Sequence, residues 1–178
     1  LHTGYLFGQD KNAPIAADGR SCSPQGAIWG LGGSIRVHLW KYLRTGFEGG
    51  VSNMNSGWTD CNEILQKGSY VRMGYGGVLA DACWRLEKIW PYIGGTIGGG
   101  KIKGLYILEG NQEDWIEETH SVFHKNSFFY VTPYVGFDYC MTKRIHLTFR
   151  FDWMLAFHKN ELVMPTGPRL YFGFMFTH

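Results

Sequence analysis

A strict alternation of apolar and polar positions runs from Ile145 to Phe157. Ile145, Leu147, Phe149, Phe151, Trp153, Leu155 and Phe157 are large and apolar, and His146, Thr148, Arg150, Asp152, Met154 and Ala156 fall between them. A period of two marks a β-strand with one face for each parity. This apolar face outruns the usual globular strand of about 5–6 residues, whereas about 9–11 tilted residues suffice to cross a bilayer. The stretch therefore predicts a membrane-spanning strand, provided that its neighbours repeat the pattern.

They do. A short first strand is predicted over 1–9. From residue 27, Ala27, Trp29, Leu31, Gly33, Ile35, Val37 and Leu39 share one face, against Ile28, Gly30, Gly32, Ser34, Arg36 and His38. A third strand sets Leu43, Thr45, Phe47, Gly49 and Val51 against Arg44, Gly46, Glu48, Gly50 and Ser52. A polar loop is expected over 53–69. The fourth strand sets Val71, Met73, Tyr75, Gly77 and Leu79 against Arg72, Gly74, Gly76, Val78 and Ala80, and its parity changes near Asp81, which predicts a bulge. A fifth runs from Ile89 to about Ile107, its facing obscured by clustered glycines. Residues 111–125 break the period, and Trp115, Ile116, Thr119, Val122 and Phe123 fit a short amphipathic helix. The sixth strand presents Phe129, Val131, Pro133, Val135, Phe137, Tyr139 and Met141 opposite Tyr130, Thr132, Tyr134, Gly136 and Asp138. The eighth places Leu170, Phe172, Phe174 and Phe176 opposite Arg169, Tyr171 and Gly173.

Connections between these strands alternate long and short, which gathers the short turns at one end and the long loops at the other. Outer-membrane barrels have this layout. The predicted fold is all-β: an eight-stranded antiparallel up-and-down transmembrane β-barrel, one domain over 1–178, with a short helix in one loop. No stretch approaches the ~18 apolar residues of a transmembrane helix, and barrel strands do not need one. Residues 1–4 show no charged or apolar leader, so the expectation is that any signal peptide has been removed.

The alternation alone also fits a soluble, lipocalin-like barrel with its apolar face inward. Two features favour the lipid-facing alternative. The polar face carries Arg36, Arg44, Arg72, Arg150 and Arg169 with Glu48, Asp138 and Asp152, and Asp81 as a further candidate, whereas lysines fall in turns, loops and near a strand end. Arginine is the cation chosen for buried, paired positions. The same face holds Gly30, Gly32, Gly46, Gly50, Gly74, Gly76, Gly136 and Gly173, and an eight-stranded interior admits large side chains only beside small ones. Leu147, Phe149, Phe151, Trp153, Leu155, Phe172 and Phe174 are then lipid-facing. Trp40, Tyr42, Trp84, Trp90, Tyr92 and Tyr139 collect near the short-turn end, and Trp29, Tyr70, Phe128 and Phe129 near the long-loop end, as two interfacial aromatic belts would.

On this pattern the whole chain resembles the small eight-stranded outer-membrane barrels of the OmpA and OmpX type. Its end, Tyr171-Phe172-Gly173-Phe174-Met175-Phe176, is similar to the C-terminal aromatic signal read by the barrel-assembly machinery, although Thr177 and His178 follow it. The resemblance implies residence in a Gram-negative outer membrane, with periplasmic termini and extracellular long loops.

Candidate chemistry adds little to this. A net charge of +2 with no run of Lys or Arg gives no nucleic-acid footprint. Cys22, Cys61, Cys83 and Cys140 have no C-x-x-C spacing; Cys22–Cys61 is a candidate disulfide in an oxidising compartment, with free thiols as the other reading. Glu117, His120 and His124 would share a face of the predicted helix at metal-binding spacing, and His120-Ser121 raises a lipid-modifying hydrolase; a solvated helix face accounts for both. The remaining charges, Arg36, Arg44, Glu48, Arg72, Asp138, Arg150, Asp152 and Arg169, read as an ion-pair network plugging the lumen. The expectation is a non-enzymatic barrel without cofactor, in contact with outer-membrane lipid or lipopolysaccharide and a membrane-protein partner, in a structural or interaction role. An outer-membrane acyltransferase or deacylase is the competing class.

Overall fold

The computed structural model describes residues 1–7, 26–55, 70–107, 121–157 and 166–176. The strands are β1 (His2–Leu6), β2 (Gly26–His38), β3 (Leu43–Asn55), β4 (Tyr70–Cys83), β5 (Ile89–Ile107), β6 (Ser121–Cys140), β7 (Ile145–Phe157) and β8 (Gly167–Phe176). Each pairs antiparallel with the next, and β8 returns to β1, closing an eight-stranded barrel. Short connections at 39–42, 84–88 and 141–144 define a turn end; the other connections leave from the opposite, loop end. β1 is the shortest strand and meets β8 only over His2–Gly4.

Three expectations are corrected. β4 has no bulge: its ladders to β3 and β5 run in unbroken register, from Leu43↔Ala82 to Asn55↔Tyr70 and from Cys83↔Tyr92 to Tyr70↔Leu105. Its facing is reversed over the first half. Val71, Met73, Tyr75 and Leu79 are buried inside, whereas Arg72 is exposed on the outer wall and drops out of the lumen set. The helix does not extend over 121–125, because Val122 and Phe123 lie in β6, paired in register with Tyr106 and Leu105 of β5. Such aromatic and β-branched residues suit a ladder at least as well as a helix. Trp115, Ile116, Thr119, Glu117 and His120 lie outside the described residues, as do Cys22 and Cys61. Cys83 and Cys140 are free.

The outer wall is apolar. Ile35, Phe47, Val78, Ile97, Phe151, Phe172 and Phe174 are all exposed, a distribution a water-facing surface would not sustain. From Ile89 to Gly99, at about 3.3 Å per residue and a tilt near 40°, the apolar stretch of β5 rises roughly 25 Å, the height of a barrel's lipid-facing band. Inside, the loop half holds a cluster of Leu6, Ile28, Met54, Met73, Ile102, Phe128, Tyr130 and Met154. Beyond it toward the turn end the interior becomes charged.

Glycine makes room for that interior. A Cβ on Gly136 would lie 2.6 Å from the ring and hydroxyl of Tyr92, and one on Gly50 2.6 Å from the Tyr75 hydroxyl, whereas one on Gly33 meets nothing within 4 Å. Gly136→Ala is therefore expected to lower unfolding stability by about 1–3 kcal/mol through overpacking. Gly33→Ala should be neutral or raise it by about 0.5–1 kcal/mol. Urea titration of both variants in lipid vesicles checks the contrast; equal losses would mean the two glycines share one environment.

Candidate functional site in the barrel lumen

The polar parity of β2, β3, β6, β7 and β8, joined by odd positions of β4, brings four arginines and four carboxylates into the interior: Arg36, Arg44, Arg150 and Arg169 with Glu48, Asp81, Asp138 and Asp152. Their formal charges cancel. Near the turn end, Arg44 Nε donates to Asp81 Oδ1 at 2.6 Å and Arg44 Nη1 to Asp138 Oδ2 at 2.8 Å. The Tyr134 hydroxyl donates to Asp81 at 3.1 Å and the Thr148 hydroxyl to Asp138 at 2.5 Å. Arg36 lies 3.8 Å from Asp81.

A second group occupies the middle of the barrel. Arg150 donates from Nη1 and Nη2 to the two oxygens of Glu48, at 2.5 and 3.2 Å, a fork-on-fork contact across the lumen. Its Nη2 also donates to Asp152 at 2.7 Å. Arg169 Nε donates to the other oxygen of Asp152 at 2.8 Å. Asp152 thus bridges two guanidinium groups, and it is fully buried. Above this group, His2 Nε2 lies 2.7 Å from the Ser52 hydroxyl.

Tyrosine rings separate the arginines. Arg150 sits between Tyr134 and Tyr171, its central carbon 4.4 and 4.5 Å from the ring centroids. Arg169 lies 4.8 Å from the Tyr75 centroid, and Arg36 and Arg44 lie 4.9 and 4.8 Å from that of Tyr92. Tyr75 and Tyr171 share a hydroxyl–hydroxyl hydrogen bond of 2.7 Å. A desolvated guanidinium over an aromatic face gains about 2 kcal/mol, which offsets part of the cost of taking it out of water. The arrangement stacks, pairs and neutralises its charges; beside it the His2–Ser52 contact has no carboxylate on His2 Nδ1 among the described residues. A cavity of about 780 Å³ lies toward the turn end, reached by Ser34, Arg36, Glu48, Arg150 and Tyr171. Leu1, Ile35, Phe172 and Phe174 also line it, between β2 and β8.

No protein-family model matches the chain, and no curated protein matches it in sequence. Solved structures do. Ail, the attachment invasion locus protein of Yersinia pestis, solved in complex with the heparin analogue sucrose octasulfate, is 12% identical with a TM-score of 0.52, covering 98% of this chain and 94% of that one. Neisserial surface protein A, NspA, is 12% identical with a TM-score of 0.55, covering 97% of this chain and 90% of that one. Both are small eight-stranded outer-membrane barrels.

The fold of this chain is that of a small eight-stranded outer-membrane β-barrel. At such low identity the likeness is one of fold. Within the barrel, the structure brings Arg36, Arg44, Glu48, Asp138, Arg150, Asp152 and Arg169 together and leaves Arg72 outside. It adds Asp81, Tyr75 and Tyr92, of which the alternation gave Asp81 only as a candidate. Asp81 itself held the signal: a carboxylate does not belong on a lipid-facing wall, and placing it inward turns Tyr75 and Leu79 inward with it. Leu147 is partly buried, and Phe149, Phe151, Trp153, Leu155, Phe172 and Phe174 are exposed outward. The two aromatic belts also lose members to the interior. Tyr92 and Phe128 are buried, and the ring of Trp90 packs edge-on against His146, 4.6 Å between centroids. Trp29, Tyr70 and Phe129 stay exposed at the loop end, and Trp40, Tyr42, Trp84 and Tyr139 at the turn end. Of the metal and hydrolase candidates, His124 and Ser121 have extended backbone in β6, so no helical spacing links His124 to Glu117 and His120.

Proposed function

We propose that this barrel is a non-enzymatic component of the outer membrane, with periplasmic termini and turn end, extracellular loops, and a structural or interaction role as one subunit of a larger membrane assembly. The observation that carries the reading is the filling of the lumen. Ion pairs and tyrosine rings occupy its middle, and Met54, Met73, Ile102, Phe128, Tyr130 and Met154 occupy its loop half. A barrel filled in this way passes little, which leaves its outer wall and its loops as the surfaces available for work. The His2–Ser52 contact in the interior lacks a carboxylate to orient the imidazole among the described residues, which weighs against an acyltransferase or deacylase. Ail, of similar fold, was solved with a polysulfated heparin analogue bound, which supports an anionic contact for this barrel as well.

Planar-bilayer recording tests the reading. The purified barrel should give no stable conductance steps at 100 mV in 1 M KCl, whatever the side of addition. Discrete, long-lived openings would make it a channel. Mild-detergent extraction after cross-linking in native membranes should return the barrel with a second membrane protein in fixed ratio. Recovery as a monomer alone would remove the subunit role.

A further inference from the structure

Arg72 on β4, Lys103 on β5 and Lys125 on β6 stand directly opposite one another across neighbouring strands, and Lys101 lies one outward position along β5, toward the turn end. All four are exposed on the outer wall. Like charges placed opposite across a ladder destabilise it, so a file of three cations calls for a counter-ion. The wall supplies none among the described residues. Among the described residues, every carboxylate on a strand (Glu48, Asp81, Asp138, Asp152) is buried in the lumen, and none of the four cations has an anionic partner.

Their height is as informative as their charge. The apolar band of β5 closes at Gly99, and Lys101 and Lys103 are the next two outward positions above it. Exposed Tyr70 lies one outward position beyond Arg72 on β4, toward the loop end. Aromatics of this kind sit at headgroup level. Just below the cations, Gly33, Gly49, Gly76 and Gly99 pair in one line across β2 to β5. Side chains are absent along that line, and the wall is notched to bare backbone where an acyl chain hanging from a headgroup would run.

We propose that this row is a binding site for a multiply phosphorylated lipid, the phosphorylated headgroup of lipopolysaccharide in the outer leaflet, with its phosphates on Arg72, Lys101, Lys103 and Lys125 and its chains over the glycine notch. The site rests on the reading above that the loop end is extracellular. Two or more phosphates within reach of four cations spaced by about 5–7 Å match a bisphosphorylated headgroup better than a singly charged phospholipid.

The test is native mass spectrometry of the folded barrel in detergent, titrated with bisphosphorylated lipid A, with its dephosphorylated form, and with phosphatidylglycerol. The wild type should bind lipid A at least tenfold more tightly than either competitor. A variant combining R72Q, K101Q, K103Q and K125Q should lose that preference while keeping the heat-dependent gel shift of a folded barrel. Substituting the β5–β6 loop acids Glu109, Glu113, Asp114, Glu117 and Glu118 by their amides should leave lipid A binding unchanged or stronger. Equal binding of the phosphorylated and dephosphorylated lipids, or an unaffected quadruple variant, would overturn the site. Preference for phosphatidylglycerol would overturn it and point to an inner-leaflet row, with the barrel itself intact. Capture by soluble heparin in place of lipid A would assign the row to a glycan and equally overturn the proposal. Protease accessibility of the loops on intact cells reads the orientation separately, so a failed orientation and a failed lipid site give different results.

Discussion

Asp152→Ala is expected to cost about 3–5 kcal/mol of unfolding free energy, the largest loss from a single truncation in the barrel. The carboxylate accepts from both Arg150 and Arg169 and is fully buried. With it gone, Arg150 keeps Glu48, but Arg169 has no other carboxylate contact among the described residues. A buried ion pair adds little net stability compared with a well-packed apolar pair; breaking it strands a charge out of water, and that is the source of the cost. Pairing Asp152→Ala with Arg169→Met should therefore recover a substantial part of the loss, because the stranded cation goes with its partner. Urea titration of the barrel refolded in vesicles, followed by tryptophan fluorescence, measures each term of this cycle. A single variant within 1 kcal/mol of the wild type would mean that water reaches Asp152 and that the lumen is wetter than its packing implies.

Phe151→Arg should cost about 2–4 kcal/mol, the penalty for an arginine facing lipid at mid-bilayer depth. Phe151 lies in the central row of the outer wall, in register with Val135 on β6 and Leu170 on β8. The same change at Phe176, at the turn end, should cost only about 0–1 kcal/mol, since the penalty falls toward the interface. A soluble barrel with this surface would respond the other way: Phe151→Arg would remove an exposed aromatic and leave stability unchanged. Apparent unfolding free energies in vesicles of defined thickness distinguish the two. Equal costs at 151 and 176 would remove the depth dependence on which the membrane reading relies.

Most of the barrel could be read where the two faces differ sharply in chemistry. In β7 every outward position is bulky and apolar, and the inward run of Thr148, Arg150 and Asp152 carries the charge, so parity alone gave the facing. β4 defeats the same rule, because its inward face begins in the apolar loop half of the lumen and its outward face carries Arg72 and glycines. There "apolar" and "outward" part company: Met73 and Leu79 are interior, and hydropathy alone does not distinguish an interior filled with methionine from a lipid-facing wall. β5 was hidden differently, because its glycines remove the side chains by which parity is read. The ion-pair partners within the lumen were beyond sequence altogether, since Glu48 and Arg150 are brought together only by closure of the barrel.

The most direct measurement is a nitroxide scan along β7, one cysteine label at a time from residue 148 to 155, in vesicles, with oxygen and a water-soluble nickel chelate as relaxation agents. Labels at 149, 151, 153 and 155 should collide with oxygen and escape nickel, and those at 148, 150, 152 and 154 should be shielded from both. Nickel reaching the odd-numbered labels, with the even ones still shielded, would place that face in water and contradict the account.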